Sequence, residues 1–333
     1  MHSAFLSLPP LKISGMAQNI LVLGASGQIG TELVEKLRTL YGNDHVVASD
    51  IKEHPSAVLK QGPYETINAL DRNRIEEVVA KYNITQVYHL VAMLSATAEK
   101  NPIAGWNLNM NTLFHLLEMA REKKIEKLYW PSSIAAFGPN TPVENTPQYT
   151  VMDPTTIYGI SKLSGELLCQ WYHQNHGVDV RSIRYPGLIS YKTVPGGGTT
   201  DYAVDIFFKA KAEGVYTCFL SEERALPMMY MEDAIKATVG IMEAPAESVK
   251  NRTSYNLASL SFTPKQLARA IQKHLPDFQI NYEPDFRDKI AANWPQSIDD
   301  TEARKDWGWQ HDYDLDTMVE DMLKNIPEAK VNA

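Results

Sequence analysis

Near the start of the chain, "LVLGASGQIG" (Leu21–Gly30) runs an apolar stretch straight into three glycines spaced G-x-x-G-x-x-G. The residues before Gly24 read as a buried strand, and "TELVEKLRTLYG" after Gly30 reads as a helix. A strand that turns at once into a helix needs a residue without Cβ at the turn, which Gly24 supplies. Gly27 lets a phosphate approach the backbone, and Gly30 lets helix pack on strand. The helix then opens with unpaired N–H groups and a partial positive charge, which suit a pyrophosphate. A tight turn needs glycine anyway, so the weight lies on the strand before it and the helix after it.

The alternation continues. "HVVASD" and "ITQVYHLVA" read as strands, "RNRIEEVVAKYN" and a segment containing "NTLFHLLEMAREKK" as helices, and "IEKLYWPSS" and "VDVRSIRYP" as further strands around a helix that starts near Tyr158. Strand–helix repetition at this spacing predicts a parallel sheet covered on both faces, a doubly wound α/β fold of Rossmann type. After Tyr185-Pro186-Gly187 the pattern changes to a Gly/Thr-rich loop, "KTVPGGGTTDY", and then to mostly helical segments. The expected organisation is a leader over 1–17, a dinucleotide domain over 18–190 plus about 228–260, and a smaller mixed α/β substrate lobe over 191–227 plus about 261–328. The loop's consecutive glycines predict motion that substrate binding would quench.

Two further features sharpen the chemistry. Asp50 closes the second strand twenty residues after Gly30. A carboxylate there accepts from an adenosine ribose and repels a 2′-phosphate, favouring NAD over NADP; read alone, it is a turn residue. In "YGISK", Tyr158 and Lys162 share one helix face. Oxidising an alcohol needs a base for the hydroxyl proton, and a tyrosine near pKa 10 is unsuited at neutral pH. The ammonium of Lys162, with a cationic nicotinamide, predicts a lowered Tyr158 pKa. A serine of "PSSIAAFG" would hold the substrate oxygen, with Ser132 and Ser133 both eligible.

From Asn19 onward the chain resembles the extended short-chain dehydrogenase/reductases, which include nucleotide-sugar epimerases and dehydratases. The resemblance rests on the glycine turn, "HLVA" (His89–Ala92), Asn109 ahead of "HLLEMA", the Ser–Tyr-xxx-Lys set, "RYPG", "YMEDAIKA" and "DDTEARKDWGW". It implies Ser133, with Ser132 beside it, Tyr158 and Lys162 as the catalytic set. It implies cofactor contacts from Ser26, Gln28, Ile29, Ile51, Asn68, Ala69, Leu90, Ala92, Asn109, Tyr185 and Leu188 in addition to Gly24, Gly27, Gly30, Asp50, Tyr158 and Lys162. Asn68 departs from the aspartate common there. Leu226 stands where sugar-nucleotide enzymes commonly carry a diphosphate-binding arginine; Arg224 is near but in a different register.

Within the family, "RYPGLIS", "GGGTTDYAVDIF", "LPMMYM" and "WPQSIDD" are similar to the branch that oxidises L-threonine with NAD⁺ at its side-chain hydroxyl, giving 2-amino-3-oxobutyrate. That similarity implies substrate contacts from Ser95, Ser133, Tyr158, Thr199, Thr200, Asp201 and Trp294. On their own Ser95 is a helix cap, Thr199 and Thr200 are turn residues, and Trp294 is core. It also implies a homodimer through Asn101–Lys124 and Ile157–His176. A nucleotide-sugar epimerase or dehydratase is the alternative, and an NAD(H)-sensing regulator with no catalysis is a third reading. The intact Ser133, Tyr158 and Lys162 speak against the third. A net charge of −8 supplies no basic field for nucleic acid. No apolar segment is long enough for a bilayer, and the nine histidines form no metal motif. Two isolated cysteines suit a reducing compartment. The acid-free leader and the resemblance imply a mitochondrial location, with the cytoplasm as alternative.

Overall fold

The computed structural model describes residues 18–192 and 198–326. The leader, residues 193–197 of the glycine-rich loop and residues 327–333 lie outside the described residues. In chain order the strands are β1 (Ile20–Leu23), β2 (Val46–Asp50), β3 (Tyr64–Thr66), β4 (Gln86–His89), β5 (Lys127–Tyr129), β6 (Ser132–Ser133), β7 (Asp179–Arg181), β8 (Ile183–Tyr185), β9 (Gly187–Ile189), β10 (Val215–Cys218), β11 (Leu226–Tyr230), β12 (Tyr255–Asn256), β13 (Leu260–Phe262) and β14 (Gln279–Tyr282). The helices are α1 (Gln28–Tyr41), α2 (Arg72–Tyr82), α3 (Ser95–Lys100), α4 (Pro102–Arg121), α5 (Ile157–His176), α6 (Tyr202–Glu213), α7 (Met231–Glu243), α8 (Pro264–Gln272), α9 (Phe286–Ala291), α10 (Thr301–Trp307) and α11 (Leu315–Asn325).

Six strands form the main sheet in the order β3-β2-β1-β4-β5-β7, every pair parallel. Parallel strands covered on both faces read as continuous apolar runs, and all four residues of β1 are buried. Their side chains alternate. Ile20 and Val22 join a core with α1 and α7, whereas Leu21 and Leu23 join one with α2, α4 and α5. The chain leaves β1 to one side and returns at β4 on the other. That reversal opens a crevice at the carboxyl ends of β1 and β4, where open α/β sheets bind ligands.

Beyond this sheet, β6-β8-β12 is a parallel trio, β9-β11-β13 a mixed one, and β10-β14 a parallel pair. Pro131 ends the run that reads from sequence as the single strand "IEKLYWPSS". With no N–H at that position the ladder breaks, and the chain shifts from β5, beside β4 and β7, to β6, beside β8. A third core, with Phe207, Met228, Phe262, Leu267 and Met318, holds α6, α8 and α11 around the small sheets.

Candidate active site

The nucleotide end is built from backbone. Gly24 has φ +86°, and a Cβ on Gly30 would lie 2.3 Å from the Gly24 oxygen, so neither position admits a side chain without strain. The N–H groups of Gly24 and Ala25 donate to the Ser49 oxygen at 2.9 and 2.8 Å, tying the turn to β2. Asp50 adds a second tie, accepting from Ser26 N (3.0 Å) and Lys52 N (3.2 Å). Among the described residues no side chain caps α1 at Gly27, so its first-turn N–H groups are open to an anion. These features fit a dinucleotide pyrophosphate.

A cleft of about 290 Å³ runs from this turn. Of the expected cofactor residues, Gly24, Gly27, Gln28, Ile29, Gly30, Leu90, Ala92, Tyr158, Tyr185 and Leu188 line it. Ser26, Asp50 and the exposed Ile51 follow the β1 and β2 ends. Asn68 and Ala69 follow β3 on the same sheet edge, where Ile67 N donates to the Asp50 oxygen. The Asn68 carboxamide accepts from Leu70 N at 3.1 Å and shapes that turn. Two of the expected residues commit polar groups away from the cleft. Tyr185 lines the cleft while its hydroxyl pairs with Thr238 in the core. Asn109 is buried behind the lining: its Oδ1 accepts from Met93 N at 2.7 Å, and its Nδ2 donates to the Met93 oxygen and Ser161 Oγ at 3.2 Å. It braces the loop after β4.

At the reactive end, α5 starts where Thr156 Oγ1 accepts from Gly159 N and the Glu99 carboxylate accepts from Ile157 N at 2.6 Å. Tyr158 follows at once, half-buried, with its hydroxyl near enough to Ser133 to be influenced by it. Lys162, one turn on, is buried. Its Nζ donates to the Pro131 oxygen at 2.6 Å and lies 4.6 Å from the Trp130 ring centre and 5.5 Å from that of Tyr158. Burial pushes Tyr158 up to about 12 against the lowering influence of Ser133. Burial also pulls Lys162 down to about 7. Desolvation therefore dominates at Tyr158 in the protein without cofactor, and the expected lowering rests on the cationic nicotinamide acting together with Lys162.

The two serines separate cleanly. Successive strand residues face opposite ways. Ser133 meets Tyr158, while Ser132 Oγ donates to Glu166 Oε1 at 2.5 Å. Glu166 and Arg184 are functional neighbours that the motif reading missed. Glu166 repeats the four-residue spacing of Tyr158 and Lys162, which is the signal that could have found it.

Ser95, Thr199, Thr200, Asp201 and Trp294 line the same cleft as Ser133 and Tyr158, with Leu94 and Ile134 supplying apolar wall. Asp201 Oδ2 accepts from Gly198 N at 2.7 Å. A Cβ on Gly187 would come within 2.5 Å of Met228 Sδ and 2.7 Å of Thr200 Cγ2, so the glycine lets Thr200 press against β9. Leu226 is wholly buried in β11. Arg224 does not reach across to replace it: its Nε and Nη2 each lie 3.1 Å from the Asp288 carboxylate. Among the described residues, no group of three His, Cys, Asp or Glu could hold a metal, and no helix is long and apolar enough to cross a membrane.

A 3-2-1-4-5 strand order, an uncapped helix behind a glycine turn and a Ser–Tyr pair in one crevice with a buried Lys162 one helical turn on define a dinucleotide-dependent oxidoreductase of the short-chain type. The chain belongs to the NAD dependent epimerase/dehydratase family, whose model matches residues 20–258, and so to the extended short-chain dehydrogenase/reductases. Its cofactor is NAD. It is 50% identical to an uncharacterized epimerase/dehydratase of Staphylococcus saprophyticus, over 95% of this chain and 99% of that one. Among solved structures, it is similar to the holo form of a GalE-like L-threonine dehydrogenase from Cupriavidus necator (58% identity, TM-score 0.91, 93% of this chain and 100% of that one). It is also similar to a monomeric L-threonine 3-dehydrogenase of metagenomic origin (48%, TM-score 0.88, 92% and 98%).

Proposed function

We propose that the protein is an L-threonine 3-dehydrogenase, oxidising the side-chain hydroxyl to give 2-amino-3-oxobutyrate. The observation that carries this is a small cleft joining Ser133 and Tyr158 to Thr199, Thr200 and Trp294, in which the diphosphate arginine position is a core leucine and the nearby Arg224 is held by Asp288. A buried diphosphate without cationic partners is costly, whereas a small zwitterion is served by hydroxyls, N–H groups and one carboxylate. Solved relatives described as L-threonine dehydrogenases support the reading.

When bound, NAD⁺ supplies the hydride acceptor. Ser133 Oγ and Tyr158 Oη grip the substrate hydroxyl, and the ionised Tyr158 takes its proton. Lys162 stabilises the phenolate, and Ser132 braces its neighbour. Ser95, Thr199 and Thr200 receive the carboxylate, Asp201 the ammonium, and Trp294 excludes water. At the nucleotide end Gly24, Gly27 and the α1 N-terminus hold the pyrophosphate and Asp50 the ribose.

The test is NADH formation with L-threonine beside thermal protection by UDP-glucose. L-Threonine should reduce NAD⁺, and UDP-glucose should neither react nor protect. The reverse pattern replaces this reading with the epimerase. We further propose a homodimer through α4 and α5, which expose Ile103, Trp106, Phe114, Ile160, Leu167 and Trp171. A monomeric mass by light scattering, as the metagenomic relative's description would suggest, refutes it. Kinship with staphylococcal proteins favours the cytoplasm and lends the mitochondrial expectation no support.

A further inference from the structure

Below the cleft, α5 carries a third group in register with the first two. Glu166 lies one turn beyond Lys162 and is 1% exposed, and its partner Arg184, on β8, is 2% exposed. Glu166 Oε1 accepts from Arg184 Nε at 2.9 Å and Oε2 from Arg184 Nη2 at 2.7 Å, a two-point ion pair. The remaining capacity is also used. Ser132 Oγ donates to Glu166, Arg184 Nη1 donates to Asn256 Oδ1 at 2.9 Å, and the guanidinium lies over the Phe137 ring.

The pair ties together three pieces of wall. Helix α5 bears Tyr158 and Lys162, β6 bears Ser133, and β8 leads through Pro186 into the cleft edge at Gly187 and Leu188. Ser132 and Ser133 stand opposite Arg184 and Tyr185 in the β6–β8 ladder, so fixing Ser132 also fixes the reach of Ser133. A buried ion pair is a poor device for stability alone, since apolar side chains of similar volume often serve as well or better. Here it orients.

We infer that the Glu166–Arg184 pair is a positioning element that sets Ser133 against Tyr158 and keeps a negative charge beside Lys162, an inference that rests on the dehydrogenase reading above. The groups facing Lys162 are Tyr158, Glu166 and Cys169 on α5, the buried His89 from β4, and Trp130 with the Pro131 oxygen from the β5–β6 turn. Of these, Cys169 and then Glu166 oppose the effect of burial on the ammonium, and Glu166 is the carboxylate of the two. Without it Lys162 loses its proton at lower pH, and Tyr158 ionises at higher pH.

Two variants and one titration test this. Ser132→Ala cuts only the link to β6. Glu166→Met with Arg184→Met removes the pair while leaving volume and no lone buried charge. In the double variant kcat should fall about 10²-fold, the scale of a misplacement of about 1 Å, with KM for L-threonine and Kd for NAD⁺ little changed. Ser132→Ala should lose about tenfold in kcat with the same split. Tyr158 ionisation, read in the NAD⁺ complex as the ultraviolet difference against Tyr158→Phe, should move to higher pH in the double variant. Wild-type kcat in Ser132→Ala, or an unmoved Tyr158 midpoint in the double variant, overturns the inference. If the double variant does not fold, Ser132→Ala decides alone. The titration needs no substrate, so it stands even if L-threonine proves inert, an outcome that would sink only the dehydrogenase reading.

Discussion

The two ends of the cleft are made of different material. At the nucleotide end the candidate contacts are main chain: a glycine turn, the open N–H groups of α1, and a carboxylate that fastens the turn by its own hydrogen bonds. At the reactive end they are side chains from distant segments, Ser95, Ser133, Tyr158, Thr199 and Trp294, brought together by the fold. Backbone tolerates change only where no side chain intrudes. Side-chain contacts can be removed one at a time without disturbing the scaffold. The two ends should therefore fail in different ways.

The largest effect is expected at the reactive end. Tyr158→Phe should lower kcat by roughly 10²–10⁴-fold, the usual contribution of a positioned base, with NAD⁺ affinity near wild type. Substantial residual turnover would hand the proton to another group. At the nucleotide end the converse should hold. Gly30→Ala forces a Cβ against the backbone of Gly24 and Ala25, at 2.3 and 2.7 Å, and such overpacking costs about 1–3 kcal/mol. Melting temperature and NAD⁺ affinity should fall together, and an unchanged Kd would mean the turn is not the pyrophosphate site.

Asp50→Ala sharpens the comparison, because this side chain serves the backbone end. It should narrow the preference for NAD⁺ over NADP⁺ by about tenfold. It should also weaken NAD⁺ itself, since the Ser26 N–H loses its anchor. A wild type that already uses both cofactors equally would remove Asp50 from that role.

The smallest effect is on stability. Lys162 titrates near 7 when folded, against an ordinary lysine value of 10.5. Below pH 7 both states are charged and the folded state bears the burial cost. Between the two values the unfolded chain binds more protons, so this residue's contribution improves with rising pH. Lys162→Met should thus melt a few degrees above wild type at pH 6, and the difference should shrink toward pH 10. A pH-independent difference would show that Lys162 is not desolvated.

The same contrast explains what could be read in the sequence. The glycine turn and the Tyr158–Lys162 spacing are local, fixed by the needs of one turn and one helix face, and both were legible. The choice between Ser132 and Ser133 was not, because it depends on which side of a two-residue strand faces α5, and Pro131 resets that strand's partners. The hydrogen bonds of Asn109 to Met93 and of Tyr185 to Thr238 were not legible either, since those partners are set by packing. Arg224 needed Asp288, sixty-four positions away, to show that it is committed elsewhere. Strand β3 is three residues long, too short to carry a period.

Helix α7 has a consequence for how the chain is made. It packs with α1 through Ile235 and Ile241, in the core that also holds Leu33 and Leu37, and β12 completes the trio that contains β6 and β8. The nucleotide half is thus sewn shut by residues that leave the ribosome after part of the substrate half has emerged. Synthesis proceeds at about 5–20 residues per second, so a nascent chain ending near β9 would hold the glycine turn and Tyr158 yet show an apolar face on α1 for several seconds. The nucleotide half should complete its fold only once α7 and β12 have emerged, and a shortened chain ending near β9 should bind chaperones rather than NAD.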